Sequence, residues 1–74
     1  MVTHTVDAKG MQCPGPIVAV FKIMNKAQKG DLVNIEVTDF GFKEDIKSWC
    51  KKTGNELVAL KVTGSVIKAT IKKA

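Results

Sequence analysis

Cys13 stands in the run Gly10-Met11-Gln12-Cys13-Pro14-Gly15-Pro16, which leads directly into the apolar-periodic stretch Ile17, Val18, Val20, Phe21, Met24. That order puts a thiol at the mouth of a helix. The unpaired N–H groups of a helix start carry partial positive charge and favour an anion there. The anion a cysteine offers is its thiolate, the nucleophilic form, and a free thiol's pKa of ~8.5 falls in such settings. The prolines qualify this. With Cys13 as N-cap, Pro14 takes the first helical position, where a missing N–H is no loss and the fixed φ suits the helix. Pro16 removes a second donor, so only Gly15 among the first three helical positions keeps an N–H. The motif therefore reads as built for rigidity and access, with Gly15 leaving the approach open. Cysteine is not a favoured N-cap residue, which argues against a mere capping role.

The remaining residues narrow the chemistry. His4 is the only histidine, and it lies too far upstream in its strand to serve Cys13 as a general base. No serine triad, phosphate loop or carboxylate constellation is present, and Asp39 reads as a turn or cap residue before a helix. A thiolate without a base or an oxyanion pocket is poorly equipped for hydrolysis. It can hold a sulfur atom and pass it on, because attack of a thiolate on another sulfur needs little beyond access. There is no Cys-x-x-Cys pair, and two cysteines with one histidine do not make a zinc site, so neither a metal nor a cofactor is expected. Cys50 falls on an apolar helix stripe beside Trp49. It is either a small core hydrophobe or a second thiol able to resolve Cys13, which would require Cα atoms within about 7 Å.

The elements that must position Cys13 follow from periodicity. Residues 2–8 alternate as a strand, with Val2, His4, Val6 and Ala8 on one face. A helix spans about 14–28 with a stripe of Ile17, Phe21 and Met24 joined by Val20, stopped at Gly30. A second strand covers 32–38, with Val33, Ile35 and Val37 on one face. A second helix covers 42–52 and turns Phe42, Ile46, Trp49, Cys50 and Thr53 to one side; Gly54 ends it. Strands 56–62 and 66–72 form a hairpin around Thr63-Gly64-Ser65. The order β-α-β-α-β-β predicts an α/β (α+β) two-layer sandwich, a mixed four-stranded sheet with both helices on one face. At 74 residues the chain is expected to be one domain, 1–74.

All twelve basic residues are lysines, and the net charge is +5. Nucleic-acid readers add arginine forks and aromatic platforms, which are missing here, so direct nucleic-acid binding is not expected. The lysines suit a solvated face or an acidic protein partner. With no spanning apolar run and no signal-type segment, the cytoplasm is the expected compartment and no membrane partner is expected; cysteines there are free or catalytic.

Taken together, Gly10-x-x-Cys13-Pro14-x-Pro16, the Lys29-Gly30-Asp31 boundary, Asp45-Ile46, Trp49-Cys50 and Thr53-Gly54-Asn55-Glu56-Leu57 resemble the TusA/SirA family of small sulfur-carrier proteins over nearly the whole chain. The resemblance implies a two-layer α/β sandwich and a sulfurtransferase that works as a covalent carrier without a cofactor. Cys13 would hold sulfane sulfur as a persulfide or thiosulfonate, shaped by Gly10, Pro14, Gly15 and Pro16. The partners it implies are a cysteine desulfurase, rhodaneses or DsrE-like proteins. Cys50 matches a second cysteine of many members. Phe40 replaces a frequent proline and Asn55 a frequent histidine, differences that bear on partner choice. The competing expectations are an RNA-binding module, a Cys13/Cys50 redox switch and a purely structural partner protein.

Overall fold

The computed structural model describes residues 2–11 and 15–74. In chain order the elements are β1 (Thr3–Ala8), α1 (Gly15–Lys26), β2 (Leu32–Val37), α2 (Phe42–Thr53), β3 (Glu56–Thr63) and β4 (Val66–Lys72). The sheet order is β1-β2-β4-β3, with β1 parallel to β2 and β4 antiparallel to both of its neighbours. The mixed sheet and the β-α-β-α-β-β order are those the sequence predicts. Helix α1 packs over β1 and β2, and α2 packs against α1 and β3.

The core lies between sheet and helices. Val33, Ile35 and Val37 of β2 and Ile67 and Ile71 of β4 are fully buried, as are Val20, Phe42 and Ile46 from the helices. Burying each such side chain contributes about 1.5–3 kcal/mol. The α1 stripe differs from the expectation. Its buried residues are Pro16, Val20 and Met24, spaced four apart, with Ile17 and Ile23 partly buried on the flanks. Phe21 is 52% exposed: one position past Val20, it is turned about 100° away from the sheet. On α2, Trp49 flanks the core rather than entering it, and Thr53 is exposed, its hydroxyl donating to the Trp49 carbonyl at 2.8 Å.

Several boundaries also move. Pro14 lies outside the described residues, and α1 ends at Lys26 rather than at 28. Gly30 has φ +93°, but it is a turn residue rather than the helix stop, since the Asp31 N–H donates to the Gln28 carbonyl across it. β3 carries a bulge between Leu57 and Ala59, which lets Leu57 and Leu60, three apart, both pack against the core. In the hairpin, Gly64 has φ +60° while no described non-glycine residue has positive φ. This is the pattern of a two-residue turn with glycine leading.

One buried carboxylate fastens the lower end of the sandwich. Asp31 is 5% exposed. Its Oδ1 accepts the Val2 N–H at 3.1 Å, its Oδ2 accepts the Gln28 N–H at 3.0 Å, and His4 Nε2 lies 3.2 Å from Oδ2. The hydrogen bonds from Gln28 and Val2, aided by His4 and partly opposed by desolvation, hold the Asp31 pKa below its ordinary 3.8. Beside it, Lys73 Nζ donates to the carbonyls of Met24 and Ala27 at 2.6 and 2.7 Å, closing carbonyls that the end of α1 leaves open. A depressed carboxyl pKa means a stabilising term that is complete above pH 3.8 and is lost as the pH falls through the lower folded-state value. Thermal unfolding of wild type and Asp31→Asn between pH 2 and 7 tests this. The variant should melt lower at neutral pH, and the gap should close in acid; a gap independent of pH would refute the assignment.

Candidate functional site

The parallel strands β1 and β2 end side by side, Ala8 opposite Val37, so the segment leading to α1 leaves the sheet next to the segment leading to α2. The chain turns at once after Ala8. The Met11 N–H donates to the Ala8 carbonyl at 3.2 Å, with Gly10 as third turn residue at φ +85°, a left-handed conformation that favours glycine. The Lys9 N–H donates to Asp7 Oδ1 at 3.1 Å, and the Gly10 N–H donates to Thr38 Oγ1 at 2.9 Å. Three successive backbone donors ahead of Cys13 are thus all engaged. Gln12, Cys13 and Pro14 lie outside the described residues.

Past the motif, Gly15 opens α1 close to Met11; a Cβ on Gly15 would sit 3.5 Å from the Met11 Cβ, an ordinary contact. Pro16 is fully buried. Its ring is part of the core, a role that reading it only as a missing donor does not anticipate. The signal was its spacing, four before Val20 and eight before Met24. In the neighbouring loop, Asp39 Oδ1 accepts the Gly41 N–H at 3.0 Å and the Asp39 carbonyl accepts the Phe42 N–H, so Asp39 is the turn residue the sequence predicts. Met11 and Phe40, one from each loop, are 45% and 54% exposed. A shallow cavity of about 320 Å³ lies between α1 and α2, lined by Ile17, Asp45, Ser48, Trp49 and Lys52. A larger cavity of about 490 Å³, lined by Lys29, Gly54, Glu56 and Lys72 among others, is at the far end of the sheet. Among the described residues no thiol lines it.

The other candidate groups separate cleanly. His4 is near the start of β1 and is held by Asp31, four strand positions below Ala8, or about 13 Å at the usual rise. It belongs to the structural clamp. Cys50 is 4% exposed within the core cluster, and burial pushes its thiol pKa up to about 11. At neutral pH it is a protonated, shielded thiol.

The fold and these positions accompany likenesses to known proteins. The family model described as sulfurtransferase TusA matches residues 4–73. YrkI of Bacillus subtilis (strain 168), whose name assigns it provisionally as a sulfur carrier protein, is 38% identical over 68 residues, covering 92% of this chain and 91% of its own. The sulfur carrier protein TusA of Allochromatium vinosum is 36% identical over 69 residues, covering 93% and 91%. The crystal structure of a SirA-like protein from Desulfitobacterium hafniense superposes with a TM-score of 0.81 at 25% identity, covering 97% of this chain and 96% of that one.

Two measurements follow from the geometry. Gly10→Ala should lose about 1–2 kcal/mol in urea unfolding, because the left-handed region is costly for a residue with a Cβ. Gly15→Ala, with a helical backbone and room for its methyl, should match wild type or exceed it; equal losses in the two variants would remove the conformational argument. Cys50 should resist iodoacetamide at pH 7.5 in the folded protein and react when the protein is unfolded in guanidinium. Fast labelling of native Cys50 would contradict its burial.

Proposed function

The chain belongs to the sulfurtransferase TusA family, and from that premise we propose that it carries sulfane sulfur on Cys13 as a persulfide and relays it to cysteines of partner proteins. In loading, the Cys13 thiolate attacks the outer sulfur of a donor persulfide. The donor's S–S bond breaks, the donor leaves as a thiolate, and a new S–S bond joins the sulfur to Cys13. In unloading, an acceptor thiolate attacks that outer sulfur and Cys13 departs as a thiolate. Each step exchanges one S–S bond for another, so no external oxidant or reductant enters.

The observation that carries this reading is the family match across residues 4–73, which takes in Cys13, together with the restrained turn that leads to it. The chemistry asks for little else. Exchange needs an accessible sulfur and no base, and among the described residues the one histidine is committed to Asp31 at 3.2 Å. Gly10, Pro14, Gly15 and Pro16 shape the approach on this reading, and Cys50, buried with a raised pKa, takes no part. The partners are sulfur-donor and sulfur-acceptor proteins such as a cysteine desulfurase, a rhodanese or a DsrE-like protein. The lysine-rich surface serves to steer encounter with acidic faces on them, since charge complementarity acts mainly on association rate. Among the described residues no helix is long and apolar enough to cross a membrane. The RNA alternative gains nothing from the open sheet face, where Thr5, Asn34, Glu36, Lys61, Lys68 and Thr70 line a groove without an aromatic platform.

Peptide mass spectrometry after incubation with a cysteine desulfurase plus cysteine, with polysulfide, or with tetrathionate tests the proposal. The expected result is a reducible sulfur adduct on the Cys13 peptide of wild type and Cys50→Ser, and none on Cys13→Ser. An adduct confined to Cys50, or none from any donor, would sink it.

A further inference from the structure

We propose that Thr38 is a positioning residue for sulfur transfer: its hydroxyl holds the turn that leads into Cys13 in register with the end of β2. The inference rests on the carrier reading for its consequence and on the described geometry for its mechanism. Of the three engaged donors ahead of Cys13, two are satisfied from within the segment itself, Lys9 by Asp7 and Met11 by Ala8. These shape the turn without tying its backbone to β2. The Lys9 side chain does reach across, its Nζ 3.5 Å from Glu36 Oε1, but a surface ion pair between long side chains contributes little to position. The third, from Gly10 N–H to Thr38 Oγ1 at 2.9 Å, comes from a residue 28 positions away on the neighbouring strand's exit. Of the three backbone donors it is the one whose partner lies outside the segment, and so the one that ties the turn's backbone to the end of β2.

The geometry suits this task. The parallel ladder between β1 and β2 runs out at Ala8 opposite Val37. Thr38 follows directly, and its side-chain oxygen takes over as acceptor where the backbone ladder stops. Threonine is branched at Cβ and stiff about χ1, so its hydroxyl is held in place rather than swept through three rotamers. The bond is also solvent-exposed. Water can replace the Thr38 oxygen as a partner for the Gly10 N–H, so loss of the bond should hardly change global stability. Water cannot replace it as a tether. Removal should therefore affect the chemistry of Cys13 more than the folding of the chain, which separates positioning from a structural role.

Three proteins decide the matter: wild type, Thr38→Val, which keeps the shape and deletes the acceptor, and Thr38→Ser, which keeps the acceptor. Each is followed by Cys13 peptide mass spectrometry for two rates, alkylation by iodoacetamide across pH 6–9 and sulfur loading from inorganic polysulfide, with thermal unfolding as a control. Thr38→Val should slow both rates by about 3- to 10-fold, the range that one lost neutral hydrogen bond corresponds to. Its unfolding midpoint should stay near wild type, and its Gly10 amide should exchange faster with deuterium. Thr38→Ser should recover most of both rates. Wild-type rates in Thr38→Val, or equal slowing in Thr38→Ser, would overturn the assignment. Absence of polysulfide loading in wild type itself would overturn the carrier reading instead, and the alkylation ratio would still decide the role of Thr38.

Discussion

A buried charge must find partners or be driven to neutrality, and Asp31 finds them in three separate parts of the chain. Its carboxylate gathers the backbone ahead of β1, Gln28 two residues past α1 and the His4 ring. Its backbone pairs with Gln28 and with Lys73 beyond β4, and Lys73 in turn closes the end of α1. The start of β1, the end of α1, the start of β2 and the end of β4 are therefore joined at one corner. Hydrogen bonds to a carboxylate are stronger than those between neutral groups, and burial makes each of them harder to give up.

That corner determines what happens at the other end. With its C-terminal end clamped by Lys73, α1 acts as a lever of 12 residues, about 18 Å long at the helical rise. The burial of Pro16, Val20 and Met24 fixes its rotation about its own axis. Where the helix begins, and hence where the chain must arrive after the β1 turn, is set by these contacts. The two poles divide the work. The lower one holds buried charge and most of the long-range polar contacts. The upper one holds short turns, exposed Met11 and Phe40, the hydrogen bond from Gly10 to Thr38 and the surface ion pair of Lys9 with Glu36.

The periodic signals carried most of the fold. Strand alternation at Val33, Ile35 and Val37 and the helical spacing of Phe42, Ile46 and Cys50 each appear in the core. The first helix was harder because it is apolar on more than one face: Val18 and Phe21 are exposed and Pro16 is buried, so periodicity alone admitted a stripe rotated by one position. The Asp31 corner left no local pattern. Its partners are 3, 27 and 29 positions away, and an aspartate after Lys-Gly reads as a turn residue until the strands are folded together. The same holds for Thr38, whose partner is 28 positions distant. For Cys13 the sequence supplies type and setting alone, a thiol between Gln12 and Pro14 ahead of an apolar-periodic stretch, and the residue itself lies outside the described residues.

A carrier with two thiols faces a hazard that a carrier with one does not: sulfur loaded on one can migrate to the other. The attacking species in such an exchange is a thiolate, so migration depends on how much thiolate the second cysteine offers. Burial raises the Cys50 pKa to about 11, leaving about one thiolate in a thousand at pH 8, and the core around it excludes an incoming sulfur chain. Serine in its place would put a hydroxyl into the buried core cluster and lose stability, whereas a buried thiol packs as a small hydrophobe. Cysteine at position 50 is thus compatible with sulfur carriage because the fold keeps it inert. The burial that builds the core also withdraws this thiol from exchange chemistry.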